Sequence, residues 1–430
     1  MTVYDELEWR GIVYDATEGV RDVLAQDKLT CYIGFDPTAS SLHVGSLLPI
    51  MALARLQRFG HTPIAIVGGG TGLIGDPSGK TQERTLLSRE EVASNLEGMR
   101  RQLERFLDFD AGVNRAQIVN NAEWLDQLSL MEFLRDIGKH FTVNYMLAKE
   151  SVKRRLGSDD GISFTEFSYL MLQAYDFLTL YDRYTCRLQL GGSDQWGNIV
   201  AGCDLIRKLR GAQAFGLVLP LVTTASGTKF GKTEAGTIWL DPERTSPYQF
   251  YQFWLNVDDR DAITYLKYFT FLSSDEIEEL EAATARAPDK REAQRRLARE
   301  VTTLVHGAES VQAAERGAAV LFDPNVTRLP VASILAVAGD VPSPELFEEQ
   351  FRGEGLPLVD VLSSTGVTSS KSEATRLIRS GGIYVNNERV QNERVRLTLD
   401  QAIEGQLFLV RKGQKQNFLI RVVKKTVGGD

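Results

Sequence analysis

The sequence predicts an α/β fold: a doubly wound parallel sheet, then a helical stretch, then a small separate module. Three observations carry this. Residues 30–225 alternate apolar strand-like runs with amphipathic helix-like runs, the pattern of a parallel sheet with crossover helices. From about Ser246 the pattern turns helical. The end of the chain reverses the charge: residues 366–430 carry 12 Lys+Arg against 6 Asp+Glu, a net +6, which leaves −14 on the rest of a chain whose total is −8. An acidic body with a basic end reads as a separate module with its own anionic partner. A basic surface without a partner is the plainer alternative.

Strands are expected at 30–35, 63–68, 116–120, 186–190 and 217–222, with helices at 47–59, 89–107 and 164–180 between them. Ligands of such sheets lie beyond the C-terminal ends of the strands. Tyr32, His43, the stretch 68–80 and Gly191 to Gln195 all fall at or beyond those ends. Residues 275–303 are charged and periodic, and Ser273-Ser274-Asp275 offers an N-cap. Pro324, Pro330, Pro342, Pro344 and Pro357 mark a linker with short helical pieces. The last module begins near Leu358. Ser369-Ser370-Lys371-Ser372-Glu373-Ala374 opens a helix to Arg379, and Gly381-Gly382-Ile383-Tyr384-Val385 follows it.

The length of 430 residues calls for two or three domains. Hydrophobic residues at 43% and charged residues at 25% are globular values. No apolar run reaches membrane-spanning length. Residues 1–10 hold Asp5, Glu6 and Glu8 and no signal core, so a cytoplasmic protein is expected. Cys31, Cys186 and Cys203 are widely spaced, and His43, His61, His140 and His306 form no His-Glu-x-x-His pattern. Neither a disulfide framework nor a tightly held transition metal is expected.

Two motifs mislead. Gly70-Thr71-Gly72-Leu73-Ile74-Gly75 matches a dinucleotide fingerprint, but Asp76-Pro77-Ser78-Gly79 follows where a helix is required. Gly79-Lys80-Thr81 resembles the end of a P-loop, but Ile74 stands where its first glycine belongs. What remains is a glycine-rich loop with Asp76, Lys80 and Arg84, either a plain surface loop or backbone that approaches a ligand closely.

Two segments far apart carry more. His43-Val44-Gly45-Ser46 lies between an apolar strand run and a helix start, offering an imidazole over a small-residue floor. Lys229-Phe230-Gly231-Lys232-Thr233 offers two lysines on a glycine-containing loop. Together they can hold a nucleoside triphosphate, with the base over the glycine and the phosphates among imidazole and ammonium groups. Tyr169, Gln173 and Asp176 share one face of an otherwise apolar helix. Burying them is costly unless a polar ligand or an internal network pairs with them. Gly191-Gly192-Ser193-Asp194-Gln195-Trp196 links a strand to a helix. Ser193 or Asp194 can cap that helix, or Asp194 can accept from a ribose.

In this order the segments resemble the class I aminoacyl-tRNA synthetases, and within them the tyrosine-activating branch. The first is similar to the family's His-Ile-Gly-His signature and the second to its Lys-Met-Ser-Lys-Ser signature. Gly34-Phe35-Asp36-Pro37-Thr38-Ala39, residues 68–80 and residues 191–198 also resemble the family, and residues 358–430 resemble an S4-type RNA-binding domain. The resemblance implies a Rossmann-like catalytic domain at 1–244, a helical anticodon-side domain at 245–325, a linker at 326–357 and the S4-like domain at 358–430. It implies ATP as substrate with Mg2+, tyrosine and its tRNA as partners, a homodimer, and no membrane.

By motif, it places Tyr32 and Asp176 at the substrate phenol. Asp76, Tyr169 and Gln173 fall at its ammonium and Gln195 near its carboxylate. Gly45 admits the adenine, Asp194 and Ser46 face the ribose, and Asp36 and Gly192 lie near the nucleotide. Thr38 and His43 meet the polyphosphate, with Lys80, Arg84, Lys229, Lys232 and Thr233 clamping it. Ser46 departs from the signature's second histidine; Phe230, Gly231 and Thr233 depart from its Met, Ser and Ser. A tryptophan-charging enzyme of similar fold and an RNA-binding protein with an inactive body are the alternatives. Tyr32 with Asp176 favours tyrosine, and the retained lysines and His43 favour catalysis.

Overall fold

The structure is a computed structural model. It describes residues 1–78, 87–157, 161–228, 230–233, 236–323, 325–337, 341–413 and 416–424, with backbone only at 232–233 and 336–337. The chain packs as two compact units: residues 1–245 with 257–305, and residues 246–256 with 306–430.

The first unit is built on a six-stranded sheet: β1 (Asp15–Ala16), β2 (Thr30–Phe35), β3 (Thr62–Val67), β4 (Gln117–Asn120), β5 (Cys186–Gly192) and β6 (Phe215–Leu219). Their order is β1-β6-β5-β2-β3-β4, all parallel except the short edge strand β1. β3 is buried beyond its first residue and β2 is buried at Cys31 to Ile33 and Phe35, which is why they read as continuous apolar runs rather than alternating ones. The chain winds outward through β3 and β4, then returns to the other side of β2 with β5 and β6. The order therefore reverses between β2 and β5, where an open α/β sheet leaves a crevice at its C-terminal edge. The run at 217–222 leaves the sheet earlier than its pattern suggests. Pro220 has no N–H to give the ladder, and Val222 instead pairs with Phe230 across a loop.

The helices that matter to the crevice are α1 (Val3–Trp9), α2 (Leu47–Arg58), α3 (Arg89–Leu103), α4 (Phe164–Tyr184), α5 (Trp196–Arg210) and α6 (Asp259–Phe269). α3 starts at a capping box in which Ser88 and Glu91 satisfy each other's backbone N–H groups. One face of α3 then holds the loop after β2. Asn95 Nδ2 donates to Pro37 O at 2.8 Å, and Gln102 accepts from Leu42 N and donates to Ser41 Oγ. Between them Gly98 lies so close that an added Cβ would stand 2.0 Å from Ser40 O. α4 and α5 pack against each other through Gly202, where a Cβ would meet Phe177 at 2.8 Å. α4 is capped by Ser163 and ends at Thr185, which is left-handed at φ 53°. The Gly70–Gly75 stretch forms only a short 3-10 turn, Thr71–Leu73, so no dinucleotide helix starts there.

The second unit contains the helices Pro247–Leu255 and Ala308–Leu321 and a five-stranded sheet. Along Leu407–Lys412, Phe408 and Val410 face one core with Leu358, Leu362 and Ile378. Leu407 and Leu409 face the other with Leu321, Val326 and Ile334. The proline-rich stretch expected as a linker thus takes part in packing: Val326, Val331, Ile334 and Val341 cover the sheet, and Glu345–Phe347 adds a parallel strand to it. Apolar residues between the prolines are the cause. Among the described residues no helix is long and apolar enough to cross a membrane.

Candidate active site

The first signature lies on a turn locked by its own residues. His43 is extended and precedes the 3-10 turn Val44–Ser46, and its Nδ1 accepts from Gly45 N–H at 3.0 Å. In a neutral imidazole that bond puts the proton on Nε2, making it a donor. A Cβ on Gly45 would lie 2.7 Å from the His43 ring, so only glycine lets the ring fold back over the turn. The segment then pairs with residues 238–240. Val44 N–H donates to Ile238 O at 3.0 Å, and Leu240 N–H donates to Leu42 O at 2.9 Å. The Trp239 ring stands edge-on to His43 at 6.1 Å.

Residues 238–240 continue the second signature, whose Gly231 O accepts from Ile238 N–H at 3.1 Å. Gly231 has φ +81°, and a Cβ there would sit 2.5 Å from Val44 Cγ2. Both facts demand glycine, which accounts for the departure from serine. Phe230, in place of methionine, is buried edge-on to Tyr265 at 4.9 Å and stacks on Phe269 at 5.4 Å. Lys232 and Thr233 pair antiparallel with Gly236 and Thr237. Their side chains lie outside the described residues, as do Lys80, Arg84 and Lys229.

A cavity of about 940 Å³ is lined by residues from the ends of β2 and β5 and from both signatures. This volume is in the range of small-molecule sites. It brings together Asp36, Thr38, His43, Gly45, Ser46, Asp76, Asp194 and Gln195, eight of the residues expected from sequence. Ser46 precedes α2 without using its hydroxyl as a cap, and neither Ser193 nor Asp194 caps α5 with a side-chain bond. Gly192 adjoins the wall, since a Cβ there would meet Asp194 Oδ1 at 2.6 Å.

Tyr32, Tyr169, Gln173 and Asp176 are not in that wall; they form a more buried polar region connected to it. Gln195 is the link. Its Nε2 donates to Asp76 Oδ2 at 2.7 Å, and its Oε1 accepts from Gln173 Nε2 at 3.1 Å. Asn198 Nδ2 donates to Gln173 Oε1 at 2.9 Å and Ser78 N–H to Asp76 Oδ1 at 2.9 Å. Tyr169 is buried one turn before Gln173 on α4.

Asp176 is buried and accepts from Trp124 Nε1 at 2.7 Å and Asn121 Nδ2 at 2.9 Å. Burial pushes its carboxyl up to about 7, against the pull of those two donors. Tyr32 is 1% exposed, and its hydroxyl has no hydrogen-bond partner among the described residues. Burial, with Asp176 adding to it, holds the phenol well above its ordinary range. Tyr32 therefore stays protonated and keeps a donor to give. Beside it in register on β5 is Gln189, also buried, whose Oε1 has no partner among the described residues.

Asn121, Trp124, Gln189 and Asn198 were not anticipated from sequence. A signal existed for two of them. Asn121 lies just beyond the C-terminal end of a predicted strand, and Gln189 interrupts an apolar run.

Comparison with known proteins identifies the family. A family model described as "tRNA synthetases class I (W and Y)" matches residues 24–323. A second, "Tyrosine--tRNA ligase SYY-like C-terminal domain", matches residues 334–420. The chain is 58% identical to a tyrosine–tRNA ligase of Roseiflexus castenholzii over 98% of this chain and 100% of that one. It is 55% identical to that of Geobacillus stearothermophilus over the same shares. Among solved structures, a C-terminally truncated mitochondrial tyrosyl-tRNA synthetase of Aspergillus nidulans superposes with a TM-score of 0.68 at 32% identity, covering 75% of this chain and 94% of that one. The chain belongs to the class I tRNA synthetases, in the branch of the tyrosine–tRNA ligases.

Proposed function

We propose that the chain joins tyrosine to its tRNA in two steps through the residues assembled above. A carboxylate oxygen of tyrosine attacks the α-phosphorus of ATP, the bond to the β-phosphate oxygen breaks, and tyrosyl-adenylate and pyrophosphate result. A hydroxyl of the 3′-terminal ribose of the tRNA then attacks the tyrosyl carbonyl carbon, the bond from that carbon to the adenylate phosphate oxygen breaks, and AMP leaves. The observation that carries the reading is the Tyr32 hydroxyl, buried without a partner among the described residues beside a buried carboxylate. A substrate phenol accepts from Tyr32 and donates to Asp176. Phenylalanine leaves the Tyr32 hydroxyl unpaired, which costs about 1–3 kcal/mol, and gives Asp176 no donor beyond Trp124 and Asn121.

The other roles follow the walls. Asp76, Tyr169 and Gln173 receive the ammonium group and Gln195 the carboxylate. Gly45 gives the adenine room, Asp194 and Ser46 take the ribose, and Asp36 and Gly192 lie along the nucleotide. Thr38 and the Nε2–H of His43 meet the phosphates, with Lys80, Arg84, Lys229, Lys232 and Thr233 closing on the leaving pyrophosphate. Mg2+ arrives with ATP. Catalysis is positioning and stabilisation of phosphate charge, with no covalent enzyme intermediate. Residues 245–325 and 358–430 serve the tRNA. Exposed Leu130, Met131, Leu134, Val143, Leu156 and Phe164 are the apolar surface for a second copy; a monomer in sedimentation at micromolar concentration removes that assignment.

His43→Ala is expected to slow tyrosine-dependent ATP–pyrophosphate exchange by about 10²–10³-fold, the scale of one lost transition-state donor, with tyrosine affinity unchanged. Loss of tyrosine binding at an unchanged rate contradicts the role. Tyrosine affinity is expected to rise with pH through about 7. The phenol donates to ionised Asp176, so binding lowers that pKa and favours the deprotonated site. Equilibrium dialysis from pH 5.5 to 8.5 tests this, and Asp176→Asn, which cannot titrate, flattens the curve. A wild-type affinity that does not change with pH counts against the contact. Replacing exposed Lys371, Arg376 and Arg394 together by Gln is expected to raise the tRNA KM about tenfold or more and to reduce its salt dependence. Pyrophosphate exchange stays as it was. An unchanged tRNA KM denies the module its partner.

A further inference from the structure

The loop that leads into the second signature is a hairpin lying against one helix. Phe230 N–H donates to Val222 O, and Thr224 N–H donates to Thr228 O at 3.0 Å. Residues 223–228 are mostly exposed, and Phe230 is the one buried side chain among the described residues of 221–230. α6 touches both arms. On the outgoing arm, Asp261 Oδ2 accepts from Ala225 N–H at 3.0 Å, and the Tyr265 hydroxyl donates to Thr223 O at 3.2 Å. On the returning arm, Phe230 is enclosed by Tyr265 and Phe269. Asp261, Tyr265 and Phe269 are spaced i, i+4, i+8 on one face of α6.

The far end of α6 is held with unusual firmness. Arg55, 1% exposed, donates from one terminal nitrogen toward Lys267 O, Tyr268 O and Thr270 O at 2.7–3.1 Å. Arg10, also buried, donates to Lys267 O, Thr270 O and Leu272 O. Two guanidinium groups thus sit on the carbonyls that a helix C-terminus leaves without intrahelical partners, where positive charge is favourable. Burying two cations at one helix end is expensive unless the geometry is fixed. Arg55 belongs to α2, the helix that the first signature opens.

We propose that α6 is the positioning brace of the second signature: it ties residues 222–228 and Phe230 to the first signature through Arg55 and α2, and so sets where the loop meets the phosphates. Asp261 and Tyr265 are positioning residues that touch no substrate. The inference rests on the reading of Lys229 to Thr233 as the phosphate clamp.

The test is ATP–pyrophosphate exchange with tyrosine binding measured alongside, on the full chain carrying Lys232→Ala, Asp261→Ala, Asp261→Asn or Tyr265→Phe. Lys232→Ala is expected to be slow, as the clamp requires. Asp261→Ala and Tyr265→Phe are expected to lower kcat by about tenfold or more, the scale of a small misplacement of catalytic groups, at unchanged tyrosine affinity. Asp261→Asn keeps an acceptor for Ala225 N–H and is expected to restore the rate to within about threefold of wild type. A slow Lys232→Ala beside wild-type rates in both Asp261→Ala and Tyr265→Phe overturns the brace and leaves the clamp standing. An equal fall of kcat and tyrosine affinity in those variants reduces α6 to general support and also overturns it. A wild-type rate in Lys232→Ala overturns the clamp and, with it, the brace.

Discussion

A short run of backbone pairing joins the two signatures, and the site depends on it. Val44 and Leu42 pair with Ile238 and Leu240, and Ile238 in turn pairs with Gly231. Each bond contributes only about 0.5–1.5 kcal/mol net. Their weight is geometric. They oblige a segment at the start of α2 and a loop nearly two hundred residues later to share one wall. Side-chain chemistry elsewhere is then adjusted to that wall: Gly45 yields to the His43 ring, Gly231 yields to Val44, and Phe230 takes up the aromatic surface of α6.

The buried polar region obeys a different constraint. A carboxylate far from water survives only if donors surround it, and Asp176 has two from Trp124 and Asn121. Even so its carboxyl stays near 7, because burial outweighs the two bonds. The Asp76–Gln195–Gln173 chain, by contrast, satisfies itself through Asn198 and Ser78. The two parts of this region therefore differ: the Tyr32 hydroxyl has no partner among the described residues, while the oxygens of Asp76, Gln173 and Gln195 already accept hydrogen bonds.

How much of this was legible depended on whether the signal was local. The parallel strands and the helix carrying Tyr169, Gln173 and Asp176 are local patterns, and they stand close to where the sequence puts them, except that the run at 217–222 leaves the sheet at Leu219. Eight expected residues line one cavity. Trp124 and Asn198 carry no local signal, because their roles exist only after crossovers bring the segment after β4, and α5, against α4. The glycine at 231 departs from the signature in sequence, and its reason, Val44 beneath it, exists only in the fold. The stretch 326–357 read as a linker because prolines dominate its composition, yet Val326, Val331 and Ile334 pack on a sheet face whose strands lie some seventy residues later.

The contact between Val44 and Gly231 is where the join between the signatures is most directly measured. A double-mutant cycle with Val44→Ala and Gly231→Ala, read as kcat for ATP–pyrophosphate exchange, isolates it. Gly231→Ala alone is expected to be slow at unchanged tyrosine affinity, and Val44→Ala, by making room for the new methyl group, is expected to recover part of that loss. The left-handed backbone at 231 limits the recovery. Strictly additive effects, or a Gly231→Ala enzyme as fast as wild type, mean that the two signatures do not bear on each other.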